Sequence, residues 1–218
     1  MALIELQGIN KSFGTKDKKV SVLENLSLKV EEGEMVAIMG KSGAGKTTLL
    51  NIIAAIDYPD SGTYLYDGKE VKTRNTSQGI KFRKDRIGLI VQHFALINDF
   101  KVYDNVELGL WETNVKGSAR KKRVMEVLES LGIADLKDKY PNVLSGGEKQ
   151  RVAIGRAIAN NHKLLLADEP TGSLDSDTEQ DILNILKDLN SKGMTIVMVT
   201  HDEDVANVCD RTIFLDKH

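Results

Sequence analysis

The sequence of 218 residues predicts an α/β fold in which helices cover a mainly parallel sheet. Short apolar runs bounded by Gly, Asp or Thr are typical of strands buried on both faces, and helical patterns lie between these runs. The first stretch instead alternates apolar and polar residues, which predicts a separate antiparallel sheet. Residues from about 93 to 158 lack strand patterns, so we expect an α-helical insertion there.

Five apolar runs predict the strands of the parallel sheet. Each run is short and almost uninterrupted by polar side chains, as expected for a strand that has helices on both sides. They are MVAIM (35–39), IGLIV (87–91), LLLAD (164–168), TIVMVT (195–200) and TIFLD (212–216).

The N-terminal antiparallel sheet is predicted from two alternating segments, ALIELQGINKSFG (2–14) and VLENLSLKVEEGE (22–34). The polar segment GTKDKKV (14–20) joins them. Between the strands of the parallel sheet, apolar residues recur at helical spacing. The predicted helices are 46–56, 120–131, 148–159 and 176–190.

Composition gives no general reason to expect nucleic acid as a partner, because the formal net charge is only -2. The basic segment KGSARKKR (116–123) is interpreted as the solvated start of a surface helix, since no aromatic residues are interleaved with its charges. Cys209 is the single cysteine, which excludes an internal disulfide and is typical of a reducing compartment. We expect it to be a buried helix residue.

No apolar run approaches the length that crosses a bilayer, and the N-terminus MALIELQGIN lacks the apolar stretch of a secretory signal. The sequence therefore predicts a cytoplasmic protein. It would reach a membrane only through another subunit.

The segment GKSGAGKT (40–47) matches the pattern G-x-x-x-x-G-K-[ST] of a phosphate-binding P-loop, and it lies between a predicted strand and a predicted helix. Successive N–H groups of such a loop form a nest for a triphosphate at a helix N-terminus. Lys46 would supply a cation for the β- and γ-phosphates, and Thr47 a hydroxyl ligand for Mg²⁺. A glycine-rich connecting loop is the simpler alternative, and Thr48 can equally be an ordinary residue of the first helical turn. The candidate phosphate-binding residues are Gly40, Lys41, Ser42, Gly43, Ala44, Gly45, Lys46, Thr47 and Thr48.

Two carboxylates, Asp168 and Glu169, follow the apolar run 164–168. Ligands gather at the carboxyl ends of parallel strands, and Mg²⁺ prefers oxygen ligands while keeping part of its hydration shell. Asp168 is therefore predicted to hold the hydrated metal, and Glu169 to orient and polarise the attacking water. If no P-loop were present, the simpler interpretation of this pair would be the start of a loop after the strand.

A second candidate anion site lies in LSGGEKQRVAIGRAI (144–158). Ser145 can cap a helix, and Gly146 and Gly147 allow a backbone to approach a group bound at the helix N-terminus. An anion is the expected ligand of such a terminus.

With these motifs in order, essentially the whole chain resembles the ATPase subunits of ATP-binding-cassette (ABC) transporters. The resemblance implies a P-loop NTPase core of the RecA type, Mg²⁺ and ATP as cofactors, and a homodimer in the ATP-bound state. In that family the LSGG motif engages the γ-phosphate of a nucleotide held by the P-loop of the opposite subunit. Ser145, Gly146, Gly147 and Glu148 would then contact the nucleotide of the partner.

Four more residues match motifs of this family. Phe13 in KSFG stands where an aromatic side chain stacks on adenine, although the usual tyrosine hydroxyl is missing. Gln92 matches the Q-loop glutamine, which reaches towards Mg²⁺ and the attacking water. Asp175 in SLD matches the D-loop and would touch the opposite subunit, and His201 matches the switch histidine on the γ-phosphate. Taken alone, each has a structural alternative, such as a core phenylalanine or a surface glutamine.

Three segments, 51–68, 102–110 and 200–206, together with Glu148, resemble the branch that includes lipoprotein-releasing, macrolide-exporting, peptide-antibiotic-exporting and cell-division ATPases. The resemblance implies a permease with a large extracytoplasmic domain as partner, and a place on the inner face of the cell membrane. It also implies a single ABC domain over 1–218, with a helical subdomain over about 93–158 and the remainder in about 1–92 and 159–218.

Two other classes share part of this chemistry. A soluble ABC protein acting on ribosomes or DNA would usually fuse two cassettes or insert a long coiled coil, and this sequence has neither. A small-molecule kinase with a P-loop would need a lid and an acceptor pocket. The sequence leaves the transported substrate open, and also the choice between export and sensing or mechanical coupling.

Overall fold

The computed structural model describes residues 1–15, 18–72, 76–111 and 113–216; the predicted connecting segment 14–20 therefore lies partly outside the described residues. Within the described ranges, no helix is both long enough and apolar enough to cross a bilayer. The strands are β1 (Ala2–Thr15), β2 (Lys18–Glu31), β3 (Met35–Gly40), β4 (Ser61–Tyr66), β5 (Lys69–Glu70), β6 (Ile87–Ile90), β7 (Leu164–Asp168), β8 (Thr195–Val199) and β9 (Arg211–Leu215). The helices are α1 (Lys46–Ile53), α2 (Thr76–Arg86), α3 (Val102–Glu107), α4 (Gly117–Ser130), α5 (Gly146–Ile158), α6 (Ser176–Ser191) and α7 (Glu203–Asn207).

Two sheets organise these elements. A five-stranded sheet has the order β6-β7-β8-β3-β9 and is parallel throughout, whereas a four-stranded antiparallel sheet has the order β2-β1-β4-β5. In the parallel sheet, Val199 is in register with both Asp168 and Ile38. The carboxyl ends of β3, β7 and β8 therefore meet at one edge. The predicted α/β fold with an additional antiparallel sheet is confirmed.

Alternating residues of β3 explain why its run is apolar without interruption. Val36 and Ile38 face a core that contains α1 and the antiparallel sheet. Met35 and Ala37 face the opposite core, which is formed with α3, α4, α5 and α6. Helix α1 is buried among residues of both sheets, because its apolar side chains belong to the first of these cores.

The structure corrects the predicted boundaries at one helix. Helix α1 ends at Ile53 rather than at residue 56, although the apolar pattern continues. Ala55 has a left-handed backbone with φ of 53°, and the amide of Ile56 donates to the carbonyl of Asn51, so the chain leaves the helix there. The other three predicted helices correspond to α4, α5 and α6, which begin within three residues of the expected positions.

Some elements were not predicted. They are the strands β4 and β5 and the helices α2, α3 and α7. Helix α2 lies outside the range 93–158 in which helices were expected. Within the described part of 93–158 the structure has helices and no strand, as predicted.

The basic segment 116–123 begins helix α4, as predicted, and its Lys121 and Lys122 are exposed. Both of its arginines also form hydrogen bonds within the protein: Arg120 donates to the carbonyl of Leu110, and Arg123 donates to the carbonyl of Ala159. These bonds fasten the helix to its neighbours.

Cys209 is half-buried and follows α7 rather than lying within it, so its placement inside a helix was wrong. Burial raises the pKa of its thiol to about 12. The thiolate nucleophile is therefore scarce at neutral pH.

Packing of α1 between the sheets predicts an unequal response to two isoleucine truncations. Ile52→Ala removes a fully buried side chain from this core and is expected to lower the free energy of unfolding by about 2–5 kcal/mol. Ile80→Ala, at a side chain that is 46% exposed on α2, should change it by no more than about 0.5 kcal/mol. Urea unfolding followed by circular dichroism measures both values, and similar losses would contradict the arrangement.

Candidate functional site

The glycine-rich loop connects the end of β3 to the start of α1. Gly45 occupies the N-cap position of α1 with φ of 89°, a left-handed conformation that favours glycine. A Cβ atom on Gly45 would also lie 2.9 Å from the side chains of both Val22 and Leu23. The loop can therefore take this path beneath β2 only with glycine at this position.

Lys46 is the first residue of α1, and its ammonium lies across the loop. The Nζ atom donates to the carbonyl oxygens of Gly40 at 2.7 Å and Lys41 at 3.3 Å. The positive charge of Lys46 therefore lies beside the N-terminus of α1, where the helix dipole also favours an anion.

A cavity of about 400 Å³ opens beside this loop. It brings together residues from the P-loop, β1, the end of β6 and the end of β7, as the sequence motifs predict. Val22 and Val199 also line it; neither was predicted, because apolar strand residues carry no chemical signal. The lining residues are Phe13, Val22, Ser42, Gly43, Gly45, Lys46, Thr47, Thr48, Gln92, Asp168, Glu169 and Val199.

Three residues of the predicted phosphate-binding loop do not line the cavity. Ala44 is buried in the core between the sheets, and Gly40 and Lys41 are not among the residues that line the cavity. Ala44 can therefore serve a ligand only through its backbone. Thr48 lies in the first turn of α1 and also lines the cavity, so its role as a phosphate ligand stays a prediction.

Asp168 ends β7 and is half-buried at the floor of the cavity. Burial is the main cause that raises the pKa of its carboxyl group, and the nearby Glu169 adds to it; a hydrogen bond from Thr47 and the charge of Lys46 act in the opposite direction. A carboxylate that is partly desolvated in this way gains from a cation placed beside it.

The oxygen donors at this place fit Mg²⁺. The hydroxyl of Thr47, the carboxylate of Asp168 and the amide of Gln92 line one cavity, and the first two are joined by a hydrogen bond. In the described ranges no three His, Cys, Asp or Glu side chains cluster as a metal cage. Mg²⁺ suits such a sparse site, because it keeps several waters and takes further ligands from phosphates.

Glu169 is held firmly beside Asp168. Its backbone is left-handed, with φ of 48°, and its amide donates to the carbonyl of Val199 at 2.9 Å. A non-glycine residue in this region stores strain of order 1–3 kcal/mol, and such strain clusters at functional sites. The Glu169 side chain is 14% exposed, and its Oε1 lies 2.8 Å from Nδ1 of His201.

His201 follows β8 and lies outside the set of lining residues, but it reaches the site through Glu169. The hydrogen bond with Glu169 is the main cause that raises the pKa of the imidazole, and the charge of Glu169 and, more weakly, of Asp202 act in the same direction. The raised pKa favours the imidazolium, in which both ring nitrogens are donors.

Gln92 follows β6 and opens a loop with an unusual backbone. His93, Phe94 and Ala95 have φ values of 64°, 64° and 47°, three consecutive left-handed residues. The guanidinium of Arg156, near the end of α5, donates to the carbonyls of Phe94 at 2.9 Å and Ala95 at 2.5 Å. These bonds tie the Gln92 loop to α5.

The second candidate anion site has the geometry of a capped helix, as predicted for Ser145. The Ser145 hydroxyl accepts from the amide of Glu148 at 3.2 Å, and the Glu148 carboxylate accepts from the amide of Ser145 at 2.7 Å. Gly147 is buried, and a Cβ atom there would lie 2.4 Å from the side chain of Thr178. Its missing side chain therefore serves the packing of α5 against α6, a role that the sequence did not reveal.

Asp175 caps the next helix, α6. Its carboxylate accepts from the amide of Thr178 at 3.0 Å and from the Thr178 hydroxyl at 2.8 Å, and the backbone bond is the main cause that lowers the pKa of Asp175. The starts of α5 and α6 thus lie side by side, with Leu174 close to Gly146.

One chain does not bring all its predicted phosphate-binding residues together. Among the described residues that line the cavity, none belongs to 145–148, and Asp175 is absent as well. The predicted phosphate-binding residues therefore lie in two separate groups on one chain.

Comparison with known proteins gives a consistent result. A protein-family model described as ABC transporter matches residues 23–172. The lipoprotein-releasing system ATP-binding protein LolD of Bacteroides thetaiotaomicron is 42% identical over 98% of this chain and 96% of its own length. The bacitracin export ATP-binding protein BceA of Halalkalibacterium halodurans is 43% identical, over 99% and 85%. The macrolide export ATP-binding/permease protein MacB of Escherichia coli is 43% identical over 98% of this chain, which spans only 33% of that protein.

Solved structures agree. The dimeric ATP-binding cassette MJ0796, in a post-hydrolysis state bound to ADP and Pi, superposes with a TM-score of 0.88 at 40% identity, covering 97% of this chain and 94% of that one. The protein cbiO1 of Clostridium perfringens, part of an ABC transporter complex, gives a TM-score of 0.88 at 31% identity, over 98% and 84%.

The contact between His201 and Glu169 predicts a titration. Since the folded-state pKa of His201 is raised, its stabilising contribution is fully present below the ordinary imidazole pKa of 6.5 and is lost as the pH rises through the folded-state value. Glu169→Gln should lower the His201 pKa, as measured by NMR of the ring protons. Asp202→Asn should lower it less, because that charge is the smaller cause. An imidazole pKa that Glu169→Gln leaves unchanged would contradict the contact.

Proposed function

This chain belongs to the ABC transporter family, as a subunit that binds and hydrolyses ATP, and from that premise we propose that two copies close head to tail around two ATP molecules. One observation carries the proposal: the cavity of a single chain contains the P-loop, Gln92 and the acidic pair, but not the capped start of α5. The missing donors must then come from a second copy. The dimeric assembly of MJ0796 supports this arrangement.

We assign the phosphate and metal ligands on the chemistry of the cavity. The amides of residues 40–47 and the Lys46 ammonium bind the β- and γ-phosphates, and Phe13 stacks on adenine. Thr47, Asp168 and Gln92 hold Mg²⁺, which, when bound, neutralises charge on the phosphates. The oxygen donors that share this cavity support the assignment.

Glu169 orients and deprotonates the water that attacks the γ-phosphate. Its left-handed backbone and its bond with His201 fix the direction of the carboxylate. His201 keeps this bond through Nδ1 and directs its other ring nitrogen to the γ-phosphate. The raised pKa of His201 favours the form in which that nitrogen is a donor.

The start of α5 completes the site of the opposite subunit. Ser145 and the amides of Gly146, Gly147 and Glu148 present donors and a helix dipole to the γ-phosphate, while Asp175 contacts the neighbouring subunit. Hydrolysis removes the bridging phosphate, so the contacts that favour the closed state are lost and the subunits separate.

Closure is transmitted to a membrane permease that has a large extracytoplasmic domain, at the inner face of the cell membrane. We regard 1–218 as one ABC domain in which a helical subdomain, about 93–158, carries the motion. The bonds of Arg156 to the Gln92 loop support this route, because they join α5 to the loop that adjoins the metal site. The names of the relatives favour export of a lipoprotein, a macrolide or an antimicrobial peptide.

The proposal predicts that Glu169→Gln traps a dimer. Without its general base, the variant should hydrolyse ATP on the order of 10²–10⁴-fold more slowly while still closing on ATP. Light scattering should report twice the monomer mass in excess ATP and Mg²⁺, and the monomer mass in ADP. A variant that stays monomeric in ATP would remove the basis for the head-to-tail site.

Cysteine crosslinking tests whether Ser145 approaches the cavity of the other copy or that of its own chain. In a Cys209→Ala, Glu169→Gln background, Ser42→Cys and Ser145→Cys place one thiol in the cavity and one at the cap of α5, both at exposed positions. Mild oxidation in ATP should give a covalent dimer on a denaturing gel, and little in ADP. The variant with Ser145→Cys alone is the control. An intramolecular disulfide, seen as a monomer that has lost both free thiols, would contradict a site shared between subunits.

A further inference from the structure

Lys11 is a buried charge that the proposed mechanism does not use. It lies in β1, two residues before Phe13, and is only 6% exposed. Its Nζ donates to Oδ1 of Asp57 at 2.6 Å and to the carbonyl of Tyr58 at 2.8 Å, in the turn that follows α1. A lysine is rarely buried to this degree unless it is paired, and these two bonds provide the pairing.

The same ammonium also lies over two aromatic rings. Its Nζ is 5.0 Å from the centroid of Phe13 and 4.8 Å from the centroid of Tyr58. Both distances fall within the range of a cation–π interaction, which strengthens when the cation is desolvated. Phe13 itself is 46% exposed and lines the nucleotide cavity, whereas Lys11 is not among the lining residues. Any influence of Lys11 on a bound base therefore passes through the Phe13 ring.

We propose that Lys11 is a positioning residue for the nucleobase, acting through the ring of Phe13. The inference rests on the proposed stacking of adenine on Phe13. A phenylalanine has no hydroxyl with which to fix its orientation, and the buried ammonium supplies that anchor. The positive charge on one side of the ring also draws π-electron density towards itself, so the ring surface in the cavity becomes a better partner for the electron-rich purine.

A purely structural role makes a different prediction. The Lys11–Asp57 pair also joins β1 to the turn after α1, so its loss could disturb the P-loop as a whole. In that case every ligand of the cavity would be affected, including one without a base. A role through Phe13 affects only ligands that carry a base.

The test compares ATP with inorganic tripolyphosphate by calorimetric titration without Mg²⁺, so that no hydrolysis occurs. The double variant Lys11→Met, Asp57→Asn removes the cation without leaving a partly buried carboxylate unpaired. The double variant should lower the affinity for ATP about threefold to tenfold and leave the affinity for tripolyphosphate unchanged. Lys11→Arg keeps both the cation and its carboxylate partner and should stay close to the parent protein. If thermal unfolding shows that the double variant is not folded, Lys11→Gln repeats the comparison with a neutral side chain that still donates to Tyr58.

Repeating the test in a Phe13→Ala chain distinguishes an error in the role of Lys11 from an error in the proposed adenine stacking. In a Phe13→Ala chain, removal of the Lys11 charge should change ATP affinity no further. Two results would overturn the role of Lys11. One is an equal fall in the affinities for ATP and tripolyphosphate; the other is a further fall in ATP affinity when the Lys11 charge is removed from the Phe13→Ala chain. If Phe13→Ala alone leaves ATP affinity unchanged, it is the proposed adenine stacking that is wrong.

Discussion

Parallel pairing of β6, β7, β8 and β3 is the constraint on which the site depends, because it places four carboxyl ends at one edge of a sheet. At or just after these four ends lie the P-loop, Gln92, the pair Asp168 and Glu169, and His201. Each strand is buried on both faces, so a shift in register would move a whole set of apolar side chains out of one core. The positions of the polar groups are thus set by hydrophobic packing.

Helix α5 links the proposed partial site at its start to the loop that follows β6. Its first turn carries the reciprocal cap of Ser145 and Glu148, and Arg156 near its other end holds the carbonyls of Phe94 and Ala95. Burial lowers the pKa of the Arg156 guanidinium, and the two carbonyl bonds offset part of the cost of removing that charge from water. A displacement of α5 relative to the parallel sheet therefore strains the loop that begins at Gln92.

Sequence patterns predicted the strands of the parallel sheet and the three long helices because each buries a continuous apolar face. They failed for α2, whose segment TSQGIKFRKDR is mostly polar and shows little helical periodicity. They also failed at the end of α1, since a left-handed Ala55 leaves no trace in an apolar run. The motif residues lining the cavity were predicted by chemistry and order, whereas Lys11 was not, because a lysine in an alternating strand resembles a solvated one.

The proposed recognition of a whole nucleotide depends on both sheets. Phe13, proposed to bind the base, belongs to the antiparallel sheet, whereas the groups assigned to the phosphates follow strands of the parallel sheet. Helix α1 is packed into the core between them through Leu49, Ile52 and Ile53, while its first residues, Lys46 onwards, line the cavity. The distance between the proposed base and phosphate positions is therefore set by the apolar side of α1, whose N-terminus is proposed to bind the phosphates. Close packing in that core keeps the two recognition surfaces at a fixed separation before any ligand arrives.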